Sequence, residues 1–168
     1  MSEDSYEDLT ECGLSEDLEK QLLQVQRECT FMWTNKAGEA FGVIMSFLPK
    51  DGAIWMTAAE RRARVSAIRR FPRASVCVTS LGTDLGGGKT VTYKGNCIVH
   101  ASREVKDWFY PEFANHLRPD DEAAARAFES FLDSPARVVI EFQPDYKLSF
   151  DSSIMWQRSP EAAKKQNS

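Results

Sequence analysis

Apolar positions recur along this chain at two different periods, and each period predicts its own kind of element. Leu14, Leu18, Leu22 and Val25 share one face at helical spacing, and Ser15 stands where an N-cap belongs, so one amphipathic helix opens the ordered region. From Cys29 onward the pattern shortens to strand-like runs. Cys29–Thr34 and Ala40–Phe47 are separated by turn residues 35–38, and residues 49–52 turn the chain into a third strand over Ala53–Thr57, which together read as a three-strand meander. A helix over Ala58–Arg70, stopped by Pro72, comes next. Strands over Ala74–Ser80 and Thr90–His100 flank a glycine-rich loop, and helices over Glu104–Leu117 and Asp121–Leu132 divide at Pro119. Those two helices carry Trp108, Phe109, Phe113, Phe128 and Phe131, read here as core packed on the sheet. Two last strands, Arg137–Phe142 and Lys147–Phe150, are separated at Pro144 and Asp145. Runs of hairpins with short helical insertions predict a mainly β protein with flanking helices, closed as an antiparallel barrel rather than as a parallel α/β sheet.

With 168 residues and 42% hydrophobic content, the chain supports one substantial core and not two ordinary domains. That domain is expected over 14–158, between an acidic flexible tail at 1–13 and a flexible polar tail at 159–168. No run approaches the ~20 apolar residues that span a bilayer, and no basic segment followed by an apolar stretch opens the sequence, so a cytoplasmic protein without a membrane partner is expected. The four cysteines lack any C-x-x-C spacing, which fits free thiols in a reducing compartment. Cys97 and His100 stand three apart on a predicted strand and point to opposite faces, which argues against a shared metal.

Charge then changes the picture. The chain carries a net charge of -4, yet six arginines fall within positions 61–73. An acidic body lacks the extended positive surface that duplex nucleic acid requires, and nucleic acid is not expected as a partner. Arg61, Arg62 and Arg64 fall in the opening turns of the predicted helix, where the macrodipole disfavours cations by roughly 0.3–1 kcal/mol each. A phosphate there would offset that repulsion and take up free backbone N–H groups. A solvated basic helix face is the other reading. The glycine-rich segment 81–90 ends in Gly88, Lys89 and Thr90 like a phosphate-binding loop, but Thr83 stands where the first glycine is required and a strand follows instead of a helix. It reads as a mobile hairpin loop, a lid at the barrel's rim.

The stretch from Thr57 to Val78 resembles the FMN- and deazaflavin-binding split-barrel superfamily that includes pyridoxamine 5'-phosphate oxidase. The residues that carry the resemblance are Thr57, Arg62, Arg64, Arg69, Arg70, Pro72, Arg73 and the apolar strand 75–78, followed by a strand containing Tyr93, Lys94 and Gly95. The resemblance implies a split antiparallel barrel, with the cofactor phosphate held by Thr57, Arg62 and Arg64. It further implies ring contacts from the backbone of Gly42, Val43, Ile44 and Met45 and from Ile54 to Met56. Tyr93, His100 and Trp156 are the nearest polar or stacking contributors. Phe41 and Ser46 stand where pyridoxamine phosphate oxidases commonly carry a basic residue, which points away from vitamin B6 oxidation. The implied function is a flavin- or deazaflavin-dependent oxidoreductase acting on a small organic substrate, with FMN or a deazaflavin coenzyme as cofactor and a homodimer holding it at the interface. The alternative is a non-catalytic protein of the same fold that binds or stores flavin, haem or an apolar ligand.

Overall fold

The computed structural model describes residue 9 and residues 11–158. Most of the expected acidic tail, and all of the polar tail at 159–168, lie outside the described residues. Cys12 is buried, and its carbonyl accepts the Asp151 N–H at 2.6 Å.

Helix α1 (Glu16–Val25) starts at Ser15, whose hydroxyl accepts the Leu18 N–H, and it buries Leu22. Strands β1 (Glu28–Thr34) and β2 (Ala40–Ser46) form the expected hairpin. A short strand β3 (Leu48–Lys50), absent from the sequence reading, pairs with β4 (Ala53–Ala59). Helix α2 (Ala63–Arg70) leads to β5 (Arg73–Thr79) and the long β6 (Lys89–His100). Helices α3 (Arg103–Leu117) and α4 (Glu122–Leu132) precede β7 (Arg137–Asp151) and a terminal helix α5 (Ser152–Arg158). All seven strands form one antiparallel sheet in the order β2-β1-β5-β6-β7-β4-β3, and the sheet curls into a split barrel.

Three expectations are corrected. The meander is not formed, because β4 pairs with β3 and β7 and never meets β1 or β2 in the ladder. The arginine helix begins at Ala63 and not Ala58, because Ala58 and Ala59 continue the β4 ladder opposite Val138 and Arg137. The last two strands are one, and it is irregular: the register with β6 shifts between Lys94 and Gly95, where Pro144 faces Gly95. A Cβ on Gly95 would stand 2.1 Å from the Gln143 carbonyl oxygen, so only glycine fits this bulge.

The alternation of each strand sends one set of side chains inward. Phe31, Phe47, Met56, Val76, Val91 and Phe142 fill the barrel, with Leu22 of α1 and Val65 and Ile68 of α2 closing over them. A second cluster lies on the other face of the sheet, where Phe109, Tyr110, Phe113 and Leu132 pack on Leu48 and Val139. Phe131 is the exception among the helix aromatics: it is 67% exposed and does not belong to the core.

Candidate functional site

The barrel is split between two strand edges. β2 ends the sheet on one side, and on the other β3 pairs only with residues 53–55, so β4 from Met56 onward has β7 on one side and no strand on the other. Between these edges lies a cavity of about 200 Å³, lined by Ile44, Met45 and Ser46 of β2, Thr57 of β4, Arg64 of α2 and Arg137 of β7. Phe113, Phe128, Phe131 and Leu132 supply its apolar wall.

Arg64 is the centre of its chemistry. Its Nε is shielded from solvent and has no hydrogen-bond partner, and among the described residues no carboxylate forms an ion pair with it. Burial, then the charges of Arg62 and Arg137, push the Arg64 pKa down from its ordinary value. Arg64 and Arg137 thus share the cavity lining, with the charge of exposed Arg62 acting on it from outside, and burying Arg64 without a counter-charge is a cost that an entering anion would offset. Helix α2 begins with no side-chain cap and no acidic residue in its first turn, the turn that carries Arg64, so nothing there offsets the positive end of its dipole. Arg69 and Arg73, by contrast, are paired with Glu60 and Asp145.

Thr57 lies across the cavity, and its hydroxyl donates to the Val138 carbonyl at 2.8 Å. The Tyr110 hydroxyl is buried beside it, close enough for the Thr57 hydroxyl to favour its ionised form, yet no partner stands in full hydrogen-bonding geometry to it. Burial is the larger influence and raises the Tyr110 pKa. These two orphan atoms, Arg64 Nε and Tyr110 Oη, are the buried side-chain polar atoms without a partner among the described residues.

Of the residues expected at a cofactor site, Thr57, Arg64, Ile44 and Met45 meet in this cavity. Arg62 does not line it: the residue is the exposed N-cap of α2 and acts on the site through its charge. The shortened helix also moves Arg61 out of the helical turns. Gly42 and Val43 lie farther along β2. The Gly42 Cβ would stand 3.3 Å from Thr30 Cγ2, and Val43 packs on the barrel core, so their backbone alone faces the edge. Met56 is wholly buried, its sulfur 3.9 Å from Cys29 Sγ, which leaves only its backbone for a ligand. Trp156 sits half-buried on α5 and does not line the cavity.

The other nominated side chains are engaged elsewhere. The Tyr93 hydroxyl donates to Glu19 at 2.6 Å, and His100 Nε2 lies 2.7 Å from Glu141. Residues 81–88 contribute nothing to the cavity lining. Their loop is anchored at its end, where the Ser152 N–H donates to the Gly88 carbonyl at 3.0 Å. Sequence reasoning missed Arg137, Ser46 as a lining residue, and the aromatic wall from α3 and α4. Arg137 enters the site because it pairs with Ala59, two residues beyond Thr57, and no local pattern announces that pairing.

No protein-family model and no curated protein matches the sequence. Solved structures do match the fold. Rv2991 of Mycobacterium tuberculosis superposes with a TM-score of 0.69 at 17% identity, over 82% of this chain and 85% of that one. A pyridoxamine 5'-phosphate oxidase-like protein of Listeria innocua gives 0.60 at 16% identity, over 80% and 96%. An F420 reductase gives 0.59 at 14% identity, over 77% and 94%. The chain thus shares the split-barrel fold of these structures. No described helix is long and apolar enough to cross a membrane.

Proposed function

We propose that this protein is a flavin- or deazaflavin-dependent oxidoreductase acting on a small organic substrate, with its cofactor's phosphate in the Arg64 cavity. The observation that carries the reading is the shielded, unpartnered Arg64 Nε in a cleft where Arg62 and Arg137 add positive charge and no lining residue is acidic. A guanidinium fork matches phosphate geometry, and Thr57 supplies a hydroxyl on the facing strand. The unpaired edges of β2 over Gly42 to Met45 and of β4 at Met56 offer backbone donors and acceptors to a planar ring lying in the split.

Such a cofactor supplies hydride or electron transfer when bound. The chain's part is binding and orientation, since the cavity lining holds no carboxylate, histidine or cysteine. Phe128 and Phe131, their rings stacked at 6.4 Å, give one side of the cavity an apolar rim.

Two measurements test this. Mass spectrometry of the chromophore that co-purifies with the protein should find FMN or a deazaflavin; haem, seen by its Soret band, would favour the storage alternative. In titrations with the identified cofactor, Arg64→Ala should weaken binding by about 1–3 kcal/mol, the range for a lost charge-assisted hydrogen bond. Arg62→Ala should weaken it less, because that side chain is exposed. Arg69→Ala, already paired with Glu60, should leave it unchanged, and equal affinities across all three variants would remove the phosphate assignment.

A further inference from the structure

The Tyr110 hydroxyl has no role in the fold that its surroundings reveal. The residue is 2% exposed, on the face of α3 that packs against Val139, and Val139 is the direct cross-strand neighbour of Thr57. Phe113, one turn further along the same helix, already lines the cavity. Tyr110 thus stands one layer behind the site, with its hydroxyl beside that of Thr57 and unpaired. A buried phenol without a partner costs stability, and phenylalanine of nearly the same shape would avoid that cost. Its nearest polar neighbour is the Thr57 hydroxyl, which stands just short of pairing with it.

We propose that Tyr110 is a positioning residue of the anion site, acting through Thr57. The Thr57 hydroxyl has one proton and two lone pairs, and its proton is committed to the Val138 carbonyl. An oxyanion held by Arg64 draws that proton toward itself by rotation of the hydroxyl about its C–O bond. Tyr110 then donates to the Thr57 oxygen, which holds the new rotamer and strengthens Thr57 as a donor, since hydrogen bonds in a chain polarise one another. No proton is transferred and no covalent bond changes. The orphan hydroxyl becomes satisfied only when the anion is bound.

The inference rests on the anion reading of the Arg64 cavity, and a double-mutant cycle separates the two. Wild type, Tyr110→Phe, Thr57→Val and the double variant would be titrated with FMN and with inorganic phosphate, and each ligand-free protein melted. Tyr110→Phe should weaken both ligands on the order of three- to tenfold, the worth of one hydrogen bond. It should leave the ligand-free melting temperature unchanged or raised. In the Thr57→Val background the same substitution should have no further effect. Unchanged affinity in Tyr110→Phe would overturn the proposal, as would a lowered ligand-free melting temperature, which marks a structural residue. Additive losses would mean that Tyr110 touches the anion directly, which also overturns it. Wild type that binds neither FMN nor phosphate would overturn the reading of the cavity itself.

Discussion

Among the six arginines between positions 61 and 73, Arg69 and Arg73 hold carboxylates on the surface, while Arg64 turns into the split of the barrel with none. Exposed ion pairs of that kind contribute little, about 0–1 kcal/mol, so the two paired residues are poor places to look for function. An unpaired, half-buried guanidinium is a better one. A second titratable group shows the same logic outside the site. His116 Nε2 lies 3.2 Å from Arg27 Nη1, and burial, then the Arg27 charge, depress its pKa to about 4. The folded protein therefore keeps this ring neutral at pH values where the unfolded chain protonates it. Between about pH 6.5 and pH 4 the unfolded state binds the extra proton, so stability falls as pH falls through that window. The expected loss is on the order of 1–2 kcal/mol once screening of a partly exposed ring is discounted. Urea unfolding of wild type and His116→Gln across the window should show a flatter pH dependence in the variant.

At the scale of elements, irregularities rather than regular stretches set the geometry. Gly95 and Pro144 place a bulge in the β6–β7 pair, which forms the middle of the sheet. Gly95→Ala would drive a methyl group into the Gln143 backbone, and a destabilisation on the order of 3 kcal/mol is expected in denaturant unfolding. A loss under about 0.5 kcal/mol, typical of a tolerant surface site, would show that the bulge relaxes freely. The loop 81–88 behaves differently along its length. A Cβ on Gly87 meets nothing within 4 Å, whereas one on Gly88 would meet Ser152 Oγ at 1.9 Å. Deleting Gly86 and Gly87 should therefore leave the cofactor affinity within about 1 kcal/mol, since no lining residue is lost. If binding were abolished while circular dichroism stayed native, the loop would belong to the phosphate site.

For the whole molecule, the outer face of the sheet is where a partner would pack. Helices α3 and α4 cover the part near β3, β4 and the start of β7. Across the remainder runs a row of cross-strand neighbours, Ile44, Thr30, Cys77, Thr92 and Leu148, on five adjacent strands. Its two ends are apolar and open, with Ile44 63% and Leu148 65% exposed, and Tyr146 and Ile98 add to the same face. Ile44 also lines the Arg64 cavity. A second copy packed on this face would bury the apolar ends and bring the cavity to the interface, which is the homodimer we propose. Sedimentation at micromolar concentration should show a dimer, and Leu148→Glu should shift it toward monomer with the fold retained. A wild-type monomer with cofactor bound would contradict this arrangement.

Local periodicity was enough to show the helix after Ser15, the β1–β2 hairpin, the helices on either side of Pro119 and the antiparallel character of the whole. These depend on neighbours a few residues apart, which the sequence presents together. Thr57, Arg64, Ile44 and Met45, which the resemblance implies for a cofactor site, line one cavity. Where α2 begins was not legible, because Ala58 and Ala59 suit a helix and are held in a strand by Val138 and Arg137 from far along the chain. For the same reason Arg137 and Tyr110 carried no signal: one enters the site through strand register, the other through the packing of α3 on Val139. Long-range register is chosen by closure of the sheet and burial of its inner face. Only the tertiary structure could decide which cations remain without a partner.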